Sequence, residues 1–471
     1  MIHKYYLNGL YILLDVNSGA VHIVNKIIFD ILDYISLPLP EECPENILNS
    51  EGLKLYSRQD IVDGYNEIKY LFKIGQLFSE DEYEKFVNNQ FKMPVKAVCL
   101  HVAHDCNLRC KYCFASTGNF GRNRELMSVD VGKKAIDFLL KHSEGRKNLE
   151  LDFFGGEPLM NFDVVKEIVK YAREQEKIYN KNFRFTITTN GILLDDDKID
   201  FINKEMSNVV LSLDGRKEVN DKMRPTFNGK GSYDVIVPKF KKLVTKRGGD
   251  KYYIRGTFTA NNLDFTNDII HFADLGFDQI SIEPVVTDLK NDYAITYDDI
   301  PKIFNEYETL LNEMIRRYKN KQSLISNGGD VDNIDNVDKP FNFFHFMVDL
   351  EQGPCAIKRL RGCGSGNEYV AITPKGDIYP CHQFVGMPEW KMGSVIDDSF
   401  DLKIKKIFAD TNIYTKEDCR NCWAKFYCSG GCSANNLLYA GALNKPYKLS
   451  CEMMKKRLEC AIMLRAVEKG F

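Results

Sequence analysis

The sequence predicts an α/β fold: a partial (β/α)6, TIM-like barrel with an N-terminal winged-helix-like domain and a C-terminal metal-dependent domain. Three observations predict it. Strand-like and helix-like runs alternate from residue 96 to residue 319. A hairpin pattern followed by two helical stretches fills residues 1–92. Cysteines crowd two regions, three of the fourteen at 106–113 and nine at 355–460.

Within 1–92, IHKYYLN, LYILLDV and AVHIV are short β-prone runs. Asn8-Gly9 and Asn17-Ser18-Gly19 separate them with turn residues that tolerate positive φ. Asn25 to Tyr34 reads as a short helix. Ser57 is placed to N-cap a second, with Ile61, Ile68, Leu71 and Phe72 at helical spacing and Gly75 just past its end. A generic packing domain would show the same pattern.

A core domain over 93–320 carries six strand candidates: Lys96–Ala103, Leu149–Phe154, Phe183–Thr189, Asn208–Leu213, Tyr252–Thr259 and Asp278–Pro284. Helical runs follow each. Ser128 caps VDVGKKAIDFLLKH, and Phe162–Tyr179 and Asp298–Tyr318 are long amphipathic helices. Pro238 interrupts the helix after the fourth strand. Repeated βα units predict a parallel sheet with right-handed crossovers. Six units suit a partial barrel, with ligands at the C-terminal ends of its strands.

Residues 321–350 read as a linker, and 351–471 as a loop-rich domain held by metal rather than a large apolar core. The charge balance of 63 basic and 66 acidic residues gives no reason to expect nucleic acid or an anionic membrane. No apolar run approaches the ~20 residues of a membrane span. The start shows no basic-then-apolar signal pattern, so a cytoplasmic location is expected. In such a chain, clustered cysteines point to metal ligation rather than disulfides.

The run HVAHDCNLRCKYCFAS places Cys106, Cys110 and Cys113 in a loop after the first strand. Three thiolates spaced C-x3-C-x2-C can hold three irons of a cubane cluster and leave the fourth open to a cofactor. A zinc site completed by His101 or His104 is the alternative, although no second cysteine pair is near. Gly155-Gly156-Glu157-Pro158 follows the second strand, TTNG ends the third and LSLDG the fourth. Downstream stand Cys355, Cys363, Cys381, then Cys419-x2-Cys422-x5-Cys428-x3-Cys432, then Cys451, with Gly376-x4-Cys381 ahead of the dense run. Eight cysteines match the ligand number of two fully ligated four-iron clusters, and a two-zinc module is the alternative.

The first cysteine run, with Tyr112 before its last cysteine, resembles the radical S-adenosylmethionine (SAM) superfamily signature. The resemblance implies that SAM chelates the open iron and is cleaved to a 5′-deoxyadenosyl radical, with Cys106, Cys110 and Cys113 carrying the catalytic cluster. It implies further that Tyr112, Gly155, Gly156 and Glu157 belong to the cofactor site. Asn190 and Ser212 would then contact the ribose or methionyl part, and Arg224 the carboxylate. The second region resembles the SPASM domain of peptide-modifying radical SAM enzymes. Carried over, Cys355, Cys363, Cys381 and Cys432 would hold an inner auxiliary cluster, and Cys419, Cys422, Cys428 and Cys451 an outer one, making three 4Fe-4S clusters. If Cys355 lets go, the inner cluster offers an open iron. Where some SPASM enzymes place an acidic base, this chain has His382, which implies either thiol deprotonation or a hydrogen bond to a loop carbonyl.

The whole chain resembles the SCIFF peptide maturases. LDVNSGAVHIV, HVAHDCNLRCKYCFAS and GPCAIKRLRGCGSGNEYVAITPKGDIYPCHQFVG carry this resemblance. It implies thioether formation between a cysteine sulfur and an α-carbon in a cysteine-rich precursor peptide. The leader of that peptide would bind the N-terminal domain as an added strand. An electron donor such as flavodoxin or ferredoxin is the other implied partner.

Overall fold

The computed structural model describes residues 1–87, 93–329, 334–351 and 359–471. Three strands open the chain: β1 (Ile2–Leu7), β2 (Leu10–Asp15) and β3 (Val21–Val24), paired antiparallel in that order. Asn8 and Gly9 both take positive φ, 46° and 86°, which turns the chain between Leu7 and Leu10 in two residues. Asn25 caps α1 (Lys26–Ile31), accepting from the Ile28 amide at 2.9 Å. After α2 (Glu45–Leu48), Ser57 and Asp60 form a capping box on α3 (Arg58–Lys73).

Alternation along β2 decides how this small sheet packs. Leu13 faces its own helices, in a core with Ile28, Ile31, Ile61, Tyr65 and Ile68. Ile12 and Leu14 point the other way and join the main core. The sheet is therefore covered on both faces. The His3 ring stacks on Trp423 at 3.7 Å, and Tyr5 donates to the Glu459 carbonyl at 3.0 Å. Asp81 reaches Lys425 at 2.6 Å and accepts from the Tyr414 hydroxyl at 2.7 Å, fastening the chain beyond α3 to the cysteine-rich region.

The centre is a mixed α/β body. Its elements run β4 (Ala97–His104), β5 (Glu125–Leu126), α4 (Val129–His142), β6 (Asn148–Gly155), α5 (Phe162–Tyr179), β7 (Asn182–Thr189), α6 (Asp196–Glu205), β8 (Met206–Ser212), α7 (Lys217–Met223), α8 (Tyr233–Lys246), β9 (Tyr252–Phe258), α9 (Phe265–Asp274), β10 (Gln279–Pro284) and α10 (Ile300–Ser326). Strands β4, β6, β7, β8, β9 and β10 pair parallel in sequential order. Every residue of β4 is buried, as expected of a strand covered on both faces. α8 runs through Pro238, so the expected interruption is absent. α10 continues to Ser326, past the expected end at Tyr318. Near there Arg317 is buried and paired to Asp274 at 2.8 Å and Glu313 at 2.6 Å.

The segment 321–350 supplies the last turns of α10 and β11 (Asn342–Phe343), which pairs with β10. On the opposite edge, β12 (Tyr369–Ile372) pairs parallel with β4. β13 (Asp377–Tyr379), β14 (Gly393–Ser394) and β15 (Ser399–Phe400) follow it antiparallel. The central sheet thus extends into the cysteine-rich region. The terminal helix Lys448–Glu468 packs on α10 and buries Leu458, Cys460, Ile462 and Leu464. Among the described residues no helix is long and apolar enough to cross a membrane.

Candidate functional site

The C-terminal ends of the parallel strands gather the cysteine loop and the three motif turns. Cys106 begins its loop two residues beyond β4, with its amide donating to Asp105 Oδ1 at 2.8 Å. The loop is held against the GGEP turn by backbone bonds, Gly156 N to Ala103 O at 2.8 Å and Glu157 N to Asp105 O at 2.9 Å. This contact explains the glycines. A Cβ on Gly156 would stand 2.1 Å from the Asp105 oxygen, and one on Gly155, at φ 127°, 2.2 Å from the Ala103 oxygen. The two glycines back the cysteine loop.

Glu157 is buried and organises the next turn. Its carboxylate accepts from the Thr189 hydroxyl at 2.7 Å, the Asn190 amide at 2.8 Å and the Leu159 amide at 3.1 Å. Burial pushes its pKa up to about 7. Asn190 in turn donates to Asn107 Oδ1 at 2.8 Å and to Cys106 Sγ at 3.6 Å. Ser212 ends β8, and its hydroxyl makes no hydrogen bond among the described residues.

Tyr112 lies under the loop. Its hydroxyl donates to Asp214 at 2.6 Å and accepts from Arg224 Nη1 at 2.8 Å. Asp214 is fully buried and also accepts from the Thr257 amide at 3.1 Å. Arg224 is 7% exposed, yet its Nε is buried without a partner. A buried guanidinium N–H left open fits an anionic ligand group such as the SAM carboxylate. Sequence reasoning passed over Asp214, although it stands in the quoted LSLDG run. An acid closing a strand-end motif was the available signal.

The three loop thiols fit a cluster by their chemistry. All are free, and Cys106 and Cys110 each stand within electrostatic reach of Cys113. Burial pushes Cys106 to about 11 and Cys110 to about 12, so ligation must displace their protons. The Leu108 amide donates to Cys106 Sγ at 3.4 Å, a bond of the kind that tunes cluster sulfurs. His101 Nδ1 and His104 Nε2 lie 3.0 Å apart, bonded to each other in the core, and burial holds both below the usual histidine range. Among the described residues no three donors converge to hold a single ion.

The downstream cysteines fall into two groups. Cys381 stands within electrostatic reach of Cys363 and Cys432, and Cys419 of Cys422, Cys428 and Cys451. The second group lines one cavity of about 260 Å³. Cys355 lies outside the described residues. Between Cys428 and Cys432 the chain turns through three left-handed residues, Ser429, Gly430 and Gly431, at φ 61°, 83° and 72°. Lys416, 2% exposed, donates to the Gly430 carbonyl at 2.7 Å and stands within electrostatic reach of cysteines from both groups.

His382 follows Cys381 and packs between Phe114 and Phe154, with ring centroids 5.2 and 5.1 Å away. Its Nδ1 is buried without a partner, so the loop-carbonyl bond is not made there. Burial, then the charge of Arg255, pushes its pKa down to about 4. Glu283, at the end of β10, faces Arg255 at 3.5 Å.

Residues 100–273 match the Radical SAM superfamily, and residues 363–423 match SPASM, an iron–sulfur cluster-binding domain. A cysteine-type anaerobic sulfatase-maturating enzyme of Clostridium novyi (strain NT) is 27% identical over 348 residues, covering 70% of this chain and 86% of that protein. The radical SAM cyclopropyl synthase TigE of Paramaledivibacter caminithermalis is 24% identical over 424 residues, 84% of this chain and 81% of its own. The solved structure of native anSMEcpe with bound AdoMet shares the fold. Its TM-score is 0.63 at 20% identity, over 79% of this chain and 99% of that one. The same enzyme with AdoMet and the Cp18Cys peptide gives 0.62 at 19%. The chain therefore carries a radical SAM domain and a SPASM domain, whose chemistry implies bound iron–sulfur clusters.

Proposed function

We propose that this chain, a radical SAM domain joined to a SPASM domain, forms thioether bonds between cysteine sulfurs and α-carbons in a cysteine-rich, ribosomally made precursor peptide. The observation that carries the reading is the unequal exposure of the two downstream cysteine groups. In the inner group Cys363 and Cys432 are exposed and Cys381 is buried, whereas in the outer group Cys419 is buried and Cys422, Cys428 and Cys451 are half-buried. A substrate thiolate can thus approach the inner group through Cys363 and Cys432, its most open members. The six sequential strands serve as a partial barrel whose mouth faces that group.

When bound, SAM and three 4Fe-4S clusters would supply a hydrogen-abstracting radical and a sink for the surplus electron. Cys106, Cys110 and Cys113 would ligate the first cluster. Cys363, Cys381 and Cys432, with Cys355, would hold the inner auxiliary one, and Cys419, Cys422, Cys428 and Cys451 the outer. Arg224 and Ser212 present open donors to the cofactor, and Glu157 fixes the Asn190 turn beside it. His382 takes the proton of the substrate thiol. In balance, one S–H and one C–H would be exchanged for one S–C bond, with the inner cluster, when bound, available to take the surplus electron and 5′-deoxyadenosine to carry off the abstracted hydrogen.

Residues 1–92 serve as a winged-helix-like leader-binding domain. Holding the leader away from the chemistry raises the local concentration of the core peptide at the radical site. A flavodoxin- or ferredoxin-type donor supplies the first electron, in a cytoplasm that keeps the thiols reduced. A second reading, oxidation of a peptide residue, is favoured by the kinship with the Clostridium novyi maturase. Its weakness here is the imidazole of His382 where an acid is expected. The deciding experiment incubates the reconstituted enzyme with SAM, reductant and a short cysteine-rich peptide encoded beside its gene. Loss of two hydrogens with a C–S linkage mapped by fragmentation supports the thioether reading. The same loss at a residue outside any cysteine link overturns it.

A further inference from the structure

The radical reading requires an electron from outside, so the face through which it reaches Cys106–Cys113 is itself a functional element. One side of the loop is covered by a short flap. Leu108 bridges Thr226 in antiparallel fashion, the Arg109 amide donates to the Pro225 carbonyl at 2.8 Å, and the Lys111 amide to that of Met223 at 2.9 Å. The covering strand then turns back, with the Thr226 amide on the Lys230 carbonyl at 2.8 Å and Gly229 at φ 73°. The flap's backbone thus lies directly against the backbone of residues 108–111, which carries Cys110.

The surface of the flap is unusual for a chain with net charge −3. It carries Arg109, Lys111, Lys222 and Lys230. Among the described residues none of these four has a carboxylate within ion-pair distance. Neighbouring cations do: Arg216 pairs with Asp264 at 2.9 Å, and Lys217 with Asp234. On its turn stands Phe227, 71% exposed, with the Arg109 guanidinium 5.0 Å over its ring and donating to the Cys106 and Leu108 carbonyls. An exposed aromatic under a guanidinium, on segments whose lysines have no ion-pair partner, has the anatomy of an interface centre and its steering rim.

We infer that this flap is the docking surface for an acidic one-electron carrier protein. The inference rests on the radical SAM reading and names the partner of that site. The carrier is oxidised by one electron and the cluster reduced by one, and no bond is made or broken. Positive charge steers the acidic carrier, the Phe227 ring excludes water at the contact, and residues 109–111 lead the electron inward.

The test uses the reconstituted full chain and reduced flavodoxin as the probe. Lys222→Glu combined with Lys230→Glu, and separately Phe227→Ala, are compared with the parent in stopped-flow reduction of the SAM-binding cluster. The expected result is reduction about tenfold slower or more by flavodoxin at low salt, with a flattened salt dependence. Reduction by dithionite and the KM for peptide stay unchanged. Flavodoxin rates equal to the parent in both variants overturn the proposal. So does a raised peptide KM with an intact flavodoxin rate, which would give the flap to the substrate. A parent chain that binds no iron, or cleaves no SAM with dithionite, overturns the radical reading together with it.

Discussion

The rings of Phe114 and His382 meet with centroids 5.2 Å apart, and each directly follows a cysteine of a different group, Cys113 and Cys381. This contact brings the end of the first cysteine loop to the start of the SPASM site.

His382 is held neutral at ordinary pH by burial, with Nδ1 lacking a partner. Its unpartnered nitrogen is therefore free to take a hydrogen bond from a substrate thiol, while burial and Arg255 disfavour the charged ring. His382→Gln is expected to leave 5′-deoxyadenosine formation intact and to slow cross-linking about 100-fold or more, the usual contribution of a general base. Quantifying both products from one reaction checks this. Full cross-linking by His382→Phe would reduce the residue to a packing ring.

Gly156→Ala tests the contact between the GGEP turn and the cysteine loop. The added methyl would meet the Asp105 oxygen at 2.1 Å and the Gly118 Cα at 3.0 Å, and a Cβ on Gly118 would itself lie 2.7 Å from that of Cys106. With backbone on every side, the loop must shift. Iron at the SAM-binding site and SAM cleavage should fall together while the auxiliary iron remains. Mössbauer quantification of the reconstituted variant reads this directly.

Cys363→Ala and Cys106→Ala should separate the two halves of the reaction. Loss of Cys106 is expected to abolish SAM cleavage. Loss of Cys363 should leave cleavage and block the thioether. Complete product from the Cys363 variant would remove the inner cluster from the mechanism.

Asp152 on β6 carries a pH signature. Burial, then the charge of Glu150, raises its pKa from 3.8 to about 6. A carboxyl raised in the folded state binds its proton more tightly there. Its stabilising contribution is whole below about 4 and is lost as pH climbs to about 6. Asp152→Asn should match the parent at low pH and exceed it by about 3 kcal/mol above pH 6. Anaerobic unfolding at pH 5, 6 and 8 measures the divergence.

Much of this architecture was legible in local pattern. The six parallel strands fall within two residues of their expected bounds, and Phe162–Tyr179 matches α5 at both ends, because alternation and helical spacing are short-range signals. Ser57 and Ser128 cap α3 and α4 as expected for the same reason. The pairing of β12 with β4 is different. It joins residues more than 260 apart, and no periodicity encodes which edge a late strand will find. At the site, Tyr112 and Arg224 were placed by motif, but the carboxylate that binds them together, Asp214, was not. Its importance comes from full burial between two long-range partners. Lys416 was likewise invisible: a lysine three residues before a cysteine reads as a solvated charge until the fold encloses it.

The left-handed turn from Cys428 to Cys432 has a consequence for how the protein matures. In the proposed ligand sets these residues belong to different clusters, and the Gly430 carbonyl between them is pinned by Lys416. Two centres built on those sets would be links of one chain-stitch rather than separate beads. Iron delivered to one pocket would tighten the thread that shapes its neighbour, so loading should proceed as a single concerted event, and half-filled protein should be scarce at every stage of reconstitution.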